Sequence, residues 1–393
     1  MNMAKATTST NNIPLVMKAA QQSNFGEIRQ VLTLSDDVIV PQKLSSHQIL
    51  VRVHAASINH IDLKLLKGNL WPITRFSFPH IPGIDVAGVV VDIGSAVKRF
   101  KIGDKVYGNL GINGCGYAEY VCGKESMFAL KPTNLTMEEA AAIPVACEIS
   151  YQVLFNKVSP RIGTETKIFI FGGSSATGFF AIQLAKAVGA QVATTCSQRN
   201  FSLSKKTRFD HIQLIIIKYF LFTGYTITEN KDEINNDPQK ILVIDYNAKD
   251  FGQELQGQNY DVVYDCVGGQ QQWISAQQIL KIGGQFITIV GDDPNSVLSF
   301  KWIATMGLSM INRKFWSIFS SAHHSYIYHG LSQTLEDLDD IRINFIETGK
   351  VKPLIDTVYN WQKDGVEALY LLYEKIESGK AQGKLILKIA DEE

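Results

Sequence analysis

Between Lys167 and Ala190 the chain reads KIFIFGGSSATGFFAIQLAKAVGA: a short apolar run, a turn of small residues, then apolar residues at helical spacing. A buried parallel strand over 168–171 would deliver the backbone to Gly172 and Gly173, where close approach is permitted. The following helix would aim its N-terminal N–H groups at an anion. Ala181, Leu184, Ala185 and Val188 would face a sheet. The chemistry such a pattern serves is the holding of a pyrophosphate. Its spacing departs from G-x-G-x-x-G, because Ser175 and Ala176 occupy the middle and only Gly178 remains of the later glycines. A ligand-free strand-to-helix turn is the plain alternative.

Other chemistries find less support. No Ser-His-Asp or Cys-His arrangement is evident, and the five cysteines, at 115, 122, 147, 196 and 266, form no C-x-x-C pair. A disulfide framework or structural zinc lobe is therefore not expected, and a reducing compartment fits. With 38 basic and 38 acidic residues the formal net charge is zero, without the basic excess that nucleic acid or a membrane surface attracts. No apolar run approaches the roughly 20 residues of a membrane span. Residues 1–13 begin MNMAKATTSTNN, with one lysine and no arginine, and read as a disordered tail, pointing to the cytoplasm.

The elements that must position the turn follow from punctuation and periodicity. A chain of 393 residues exceeds one ordinary core, so two domains are expected. Strand patterns at 15–19, 48–55, 86–93 and 105–107, broken by Gly, Pro, Asp and Asn, predict a β-barrel-like domain. From Thr136 the pattern becomes helical, with Glu139 completing a capping box. Strands at 167–171, 191–196, 241–245, 261–265 and 284–290 then alternate with helices at 177–188 and 271–280, the mark of a doubly wound parallel sheet. A strand at 354–358, a helix at 365–378 and a strand at 384–389 close the chain.

Taken in order, AASINHIDLKLLKG (55–68), IPGIDVAGVVVDIGSAVKRFKIGDKVYG (81–108), the glycine turn, VIDY (243–246), YDVVYDCVGG (260–269), LKIGGQFITIVG (280–291) and SGKAQGKLIL (378–387) carry a family resemblance. The chain resembles the zinc-independent quinone oxidoreductase branch of the medium-chain dehydrogenase/reductase superfamily. The resemblance implies an α/β fold with a GroES-like β-barrel domain over 14–143, completed by 353–393. A Rossmann NADPH-binding domain, a doubly wound parallel sheet, would span 144–352. The implied reaction is hydride transfer from NADPH to a small-molecule quinone or α,β-unsaturated carbonyl in the cleft between them. Two alternatives share the fold: an NADPH-binding scaffold with little catalysis, and an enoyl-thioester reductase, for which Tyr117 is an available acid. The branch is often homodimeric and has mitochondrial members, although this N-terminus lacks a basic amphipathic helix.

Zinc-dependent relatives carry a cysteine, a histidine and a glutamate where this chain has Asn59, Ile84 and Asp85, which leaves Cys147 without partners, so no metal is expected. The resemblance instead gives Asn59 a place near nicotinamide and substrate, where its NH₂ can donate to a developing oxyanion, and Lys64 a place to supply charge or a proton. Gly173, Ser174, Ala176, Thr177 and Gly178 form the implied cofactor cradle. After the second strand TTCSQRN has no acid, so NADPH is the implied cofactor, with Ser197 and Arg199 toward its 2′-phosphate. Tyr246 would border the adenosine phosphate, Gly268 would follow a strand beside the cofactor, and Lys384 matches the family's closing strand as a cofactor-binding residue.

Residues 207–240 depart from the family. About thirty extra residues, rich in Ile, Lys, Asn, Phe and Tyr, stand where a helix and short turn would suffice. They read either as a surface insertion or as translated AT-rich non-coding sequence. The aromatic-rich stretch 300–330 is explained by core packing, a pocket lining or a subunit interface.

Overall fold

The computed structural model describes residues 13–71, 74, 76–197, 225–234, 237, 239–294, 297, 304–305, 307–313, 321–332 and 334–392. β-Branched and small residues dominate the first region, and they fold into antiparallel strands: β1 (Val16–Gln22), β2 (Leu32–Ile39), β3 (Gln48–Ile58), β4 (Asp85–Ile93), β5 (Lys105–Asn109), β6 (Tyr120–Lys124) and β7 (Phe128–Leu130). β3, QILVRVHAASI, is buried along most of its length because it has neighbours on both edges and a filled interior. Val51, Val53, Val86, Tyr117, Phe128 and Trp361 share that interior.

The second region is parallel throughout. Its strands are β8 (Lys167–Phe171), β9 (Gln191–Cys196), β10 (Thr226–Thr228), β11 (Lys240–Asp245), β12 (Tyr260–Asp265), β13 (Leu280–Thr288) and β14 (Ser325–Tyr328), ordered β10-β11-β9-β8-β12-β13-β14 among the described residues. Alternation along KIFIF sends Ile168 and Ile170 into one layer, against the helix Ala176–Ala187, and Phe169 and Phe171 into the other, against Phe251. This is the GroES-like barrel and Rossmann sheet expected from the sequence.

Two local features differ from expectation. The helical pattern that begins at Thr136 is broken, into Met137–Ala141, Pro144–Tyr151 and a π-helical turn Gln152–Lys157. Pro144 has no N–H to continue the first piece and a φ suited to starting the next, so the break follows from one residue. The Thr136–Glu139 capping box is present, each side chain taking the other residue's backbone N–H. In the divergent stretch, residues 207–224 lie outside the described residues. Its later part forms β10, parallel to β11, and a short helix Lys231–Ile234, elements the sequence reading did not anticipate.

The chain end returns to the first region. β15 (Ile355–Asn360) pairs in parallel with β16 (Lys384–Lys388), and β16 pairs antiparallel with β3, completing the barrel sheet β15-β16-β3-β4-β5-β7. The Trp361 indole N–H donates to the Ile389 carbonyl at 3.0 Å, and Arg29 bridges Glu367 and Glu374 on the last helix. Because β16 pairs with β3 from Ala55 to Ile58 on the edge opposite β4, deletion of residues 384–392 is expected to abolish cooperative thermal unfolding of the barrel, read by circular dichroism.

Candidate functional site

β8 and β12 are neighbours from which the chain proceeds to opposite sides of the sheet, so the crevice at their carboxyl ends is the topological switch point. The glycine turn lies there. Gly172 has φ +76°, a Cβ on Gly173 would collide with Thr194 Oγ1, and one on Gly178 would collide with the Gly172 carbonyl. The turn is thus drawn tight by contacts only glycine allows. Ser175 caps the helix, its Oγ donating to Gly172 O (2.7 Å) and accepting from Gly178 N (3.0 Å). Ser174, Ala176 and Thr177 are half-buried on the open side, and the first-turn N–H groups of Ala176 and Thr177 have no intrahelical acceptor.

The other cradle residues gather along the same edge. Ser197 follows β9 and is 4% exposed, with an Oγ that meets no partner among the described residues. Tyr246 follows β11, its N–H donating to Cys196 O at 3.3 Å while its ring stays 56% exposed. Gly268 has φ +85°, and its N–H and that of Val267 donate to Asp265 Oδ1 at 2.8 and 3.0 Å, which folds the turn after β12. Arg199 lies outside the described residues.

The barrel contributes a buried polar cluster built on Asp85. Its Oδ2 accepts from Ser57 Oγ (3.0 Å), Asn59 Nδ2 (2.9 Å) and Lys384 Nζ (3.1 Å), and its Oδ1 from Val145 N (3.0 Å), in the first turn of the helix Pro144–Tyr151. Lys384 Nζ also donates to Asn59 Oδ1. Asp85 and Lys384 are both almost fully enclosed. Lys384, expected from the sequence to contact the cofactor, directs two of its ammonium hydrogens to Asn59 and Asp85. Sequence reasoning passed over Asp85 as an organising group because it weighed that position only as a metal ligand.

The helix His60–Leu66 starts at Asn59, whose backbone N–H donates to Asp62 Oδ2 at 2.8 Å. Asp62 is enclosed, and burial together with the nearby Asp85 charge pushes its carboxyl up to about 7. Lys64 is half-buried on the same helix; burial pushes its ammonium down, opposed by Asp293 in the loop after β13. His60 lies exposed at the helix start, and its shift toward the neutral form comes from desolvation with added repulsion from Lys64 and Lys384. His80 stacks on Phe76 at 4.0 Å and burial brings it down to about 4, so it packs. Glu148, enclosed and held by Asn109 Nδ2 at 2.9 Å, is pushed up to about 8 by burial, another group the sequence did not single out.

Comparison with known proteins agrees with this geometry. Residues 45–133 match the alcohol dehydrogenase GroES-like domain, and residues 242–387 match the zinc-binding dehydrogenase family. A 2-methylene-furan-3-one reductase of Solanum lycopersicum is 31% identical over 395 residues, covering 98% of this chain and 82% of that protein. The chain belongs to the medium-chain dehydrogenase/reductase superfamily. A mitochondrial NAD(P)H oxidoreductase RTN4IP1 of Dictyostelium discoideum is 28% identical, covering 94% and 99% of the two chains. The quinone oxidoreductase structure from Coxiella burnetii superposes with a TM-score of 0.71 at 25% identity, over 95% and 99%. This member of the superfamily is an oxidoreductase, and no helix among its described residues is long and apolar enough to cross a membrane.

A catalytic zinc, which the second family's description implies, does not fit the donors present. Asn59 offers a neutral amide, Ile84 offers nothing, and Asp85 is already shared by four donors including an ammonium.

The state of Asp62 gives a pH test. Its folded pKa is raised from 3.8 to about 7, so the native state loses stability relative to the unfolded chain as pH rises through that window. Asp62→Asn keeps an acceptor for Asn59 N–H and carries no charge. It is expected to match the parent near pH 4, to gain thermal stability over it up to about pH 7, and to gain nothing further above, measured by calorimetry.

Proposed function

We propose that this oxidoreductase is an NADPH-dependent, zinc-independent reductase of quinones or α,β-unsaturated carbonyls. The observation that carries the reading is the state of Asn59: one amide hydrogen is committed to Asp85, its oxygen to Lys384, and one Nδ2–H remains at the edge of the barrel interior. A fixed donor of that kind suits a carbonyl oxygen that gains charge as its conjugated system is reduced. The relatives support the substrate class, being named for a furanone, for alkenals and alkenones, and for quinones.

NADPH, when bound, supplies the hydride. The protein's own part is positional. The N–H groups of Ala176 and Thr177, at the helix start that Gly173, Ser174 and Gly178 shape, would hold the pyrophosphate. The Ser197 hydroxyl, which has no partner among the described residues, would with Arg199 meet the 2′-phosphate; Tyr246 would flank it, and Gly268 would let the backbone pass close. Asn59 donates to the substrate carbonyl, and Lys64, its ammonium made more acidic by burial, supplies positive charge and a proton at the cleft. The enoyl-thioester reading is not favoured by Tyr117, which is enclosed with its hydroxyl on Ser57 O at 3.3 Å and edge-on to Tyr373.

Purified protein in a chelating buffer is expected to oxidise NADPH when given short enones or quinones; tight NADPH binding with no turnover across such a panel would instead establish the scaffold reading. Asn59→Ala is expected to lower kcat/KM by about 10²–10³-fold. Ser197→Asp, which places an acid where a ribose 2′-OH would be held, is expected to shift the preference from NADPH toward NADH by ~10-fold or more in the ratio of kcat/KM.

A further inference from the structure

The cation closest to Asn59 is part of the protein. Lys384 Nζ donates to Asn59 Oδ1 and to Asp85 Oδ2, and Asp85 Oδ2 also receives Asn59 Nδ2 at 2.9 Å, which closes a three-membered ring of ammonium, amide and carboxylate. An asparagine amide can turn over by 180° at little steric cost, and in this ring it cannot. The reversed amide would set NH₂ against the ammonium and its carbonyl against the carboxylate, two repulsive contacts for two lost hydrogen bonds.

We propose that Lys384 is a positioning residue that serves as the fixed cation of the active site, acting on substrate through Asn59. Donation into Oδ1 draws electrons through the amide and strengthens the Nδ2–H left for the substrate oxygen. The ammonium therefore carries the electrostatic part that a metal plays in zinc-dependent relatives, from among the same positions: Asn59 and Asp85 stand where those relatives place ligands. It differs in presenting no open coordination position, so its charge reaches the substrate only through the amide. Asp85 offsets the cost of enclosing the ammonium, and its other oxygen ties the ring to the helix Pro144–Tyr151. The sequence distance is wide, since Asn59 and Lys384 are 325 residues apart and meet only because β16 lies beside β3.

This inference rests on the reductase reading, and the experiment separates the two. Lys384→Met is compared with Lys384→Met/Asp85→Asn, which leaves neither buried charge unpaired and so keeps a folded protein available. In both, NADPH affinity measured by fluorescence is expected to stay within ~3-fold while kcat falls by about 10²-fold, the scale of a misplaced catalytic contact. Asn59→Ala, costly in the parent, is expected to cost less than ~10-fold in the Lys384→Met background, because the two changes remove one shared effect. A readout free of turnover is the side-chain NH₂ pair of Asn59 in ¹⁵N-asparagine-labelled, cofactor-free protein, expected to exchange slowly in the parent and fast in Lys384→Met. A 10-fold or greater loss of NADPH affinity with kcat retained would make Lys384 a cofactor ligand and overturn the proposal, as would an unchanged amide signal or fully additive losses. If the parent turns over no enone or quinone, the reductase reading falls, and the amide signal alone decides whether Lys384 fixes Asn59.

Discussion

A single enclosed carboxylate, Asp85, gathers the buried polar groups of the barrel and ties them to the helix that leads into the Rossmann sheet. Asp85 is out of reach of water, and an ionised carboxylate there would cost several kcal/mol were it left unpaired. Four donors from four parts of the chain meet it: Ser57 on β3, Asn59 at the start of the next helix, Lys384 on the last strand, and the backbone of Val145 at the helix that leads into the Rossmann sheet. Each donor is fixed in direction by that shared acceptor. The same atoms that complete the barrel therefore aim the amide of Asn59, and the aim depends on the chain closing on itself.

The glycine turn is built by exclusion. Gly173 and Gly178 leave no room for a side chain, so the helix Ala176–Ala187 begins hard against the end of β8 with its first N–H groups turned outward. Ser197, Tyr246 and Gly268 then fall at the ends of neighbouring strands because a parallel sheet brings every carboxyl end to one edge. The sheet edge is thus a row of backbone donors and small residues, and the barrel holds a buried charged ring.

Burial also decides which groups carry protons. Asp62 and Glu148, brought up to about 7 and about 8 by enclosure, titrate close to physiological pH although their sequence neighbours look ordinary. His60 moves the other way, and His80 is absorbed into packing against Phe76. The shifts of Asp62 and Glu148 come from enclosure by the surrounding protein, which no residue type announces.

The sequence by itself determined the alternation of elements, the glycine turn and the superfamily, because these rest on local patterns: KIFIF reads as a buried strand, GGSSATG as a turn, and Thr136 with Glu139 as a helix start. It also marked Asn59 and Ser197, which sit at fixed offsets within recognisable motifs. The helix break at Pro144 was legible in principle, since one missing N–H causes it. Only the tertiary structure decided what Lys384 touches. From its motif it reads as a cofactor contact, and what fixes its partners is the antiparallel pairing of β16 with β3, a register spanning more than three hundred residues. The same holds for Asp85, whose importance comes from the number of donors that converge on it, a property of packing in three dimensions that spacing along a chain does not carry.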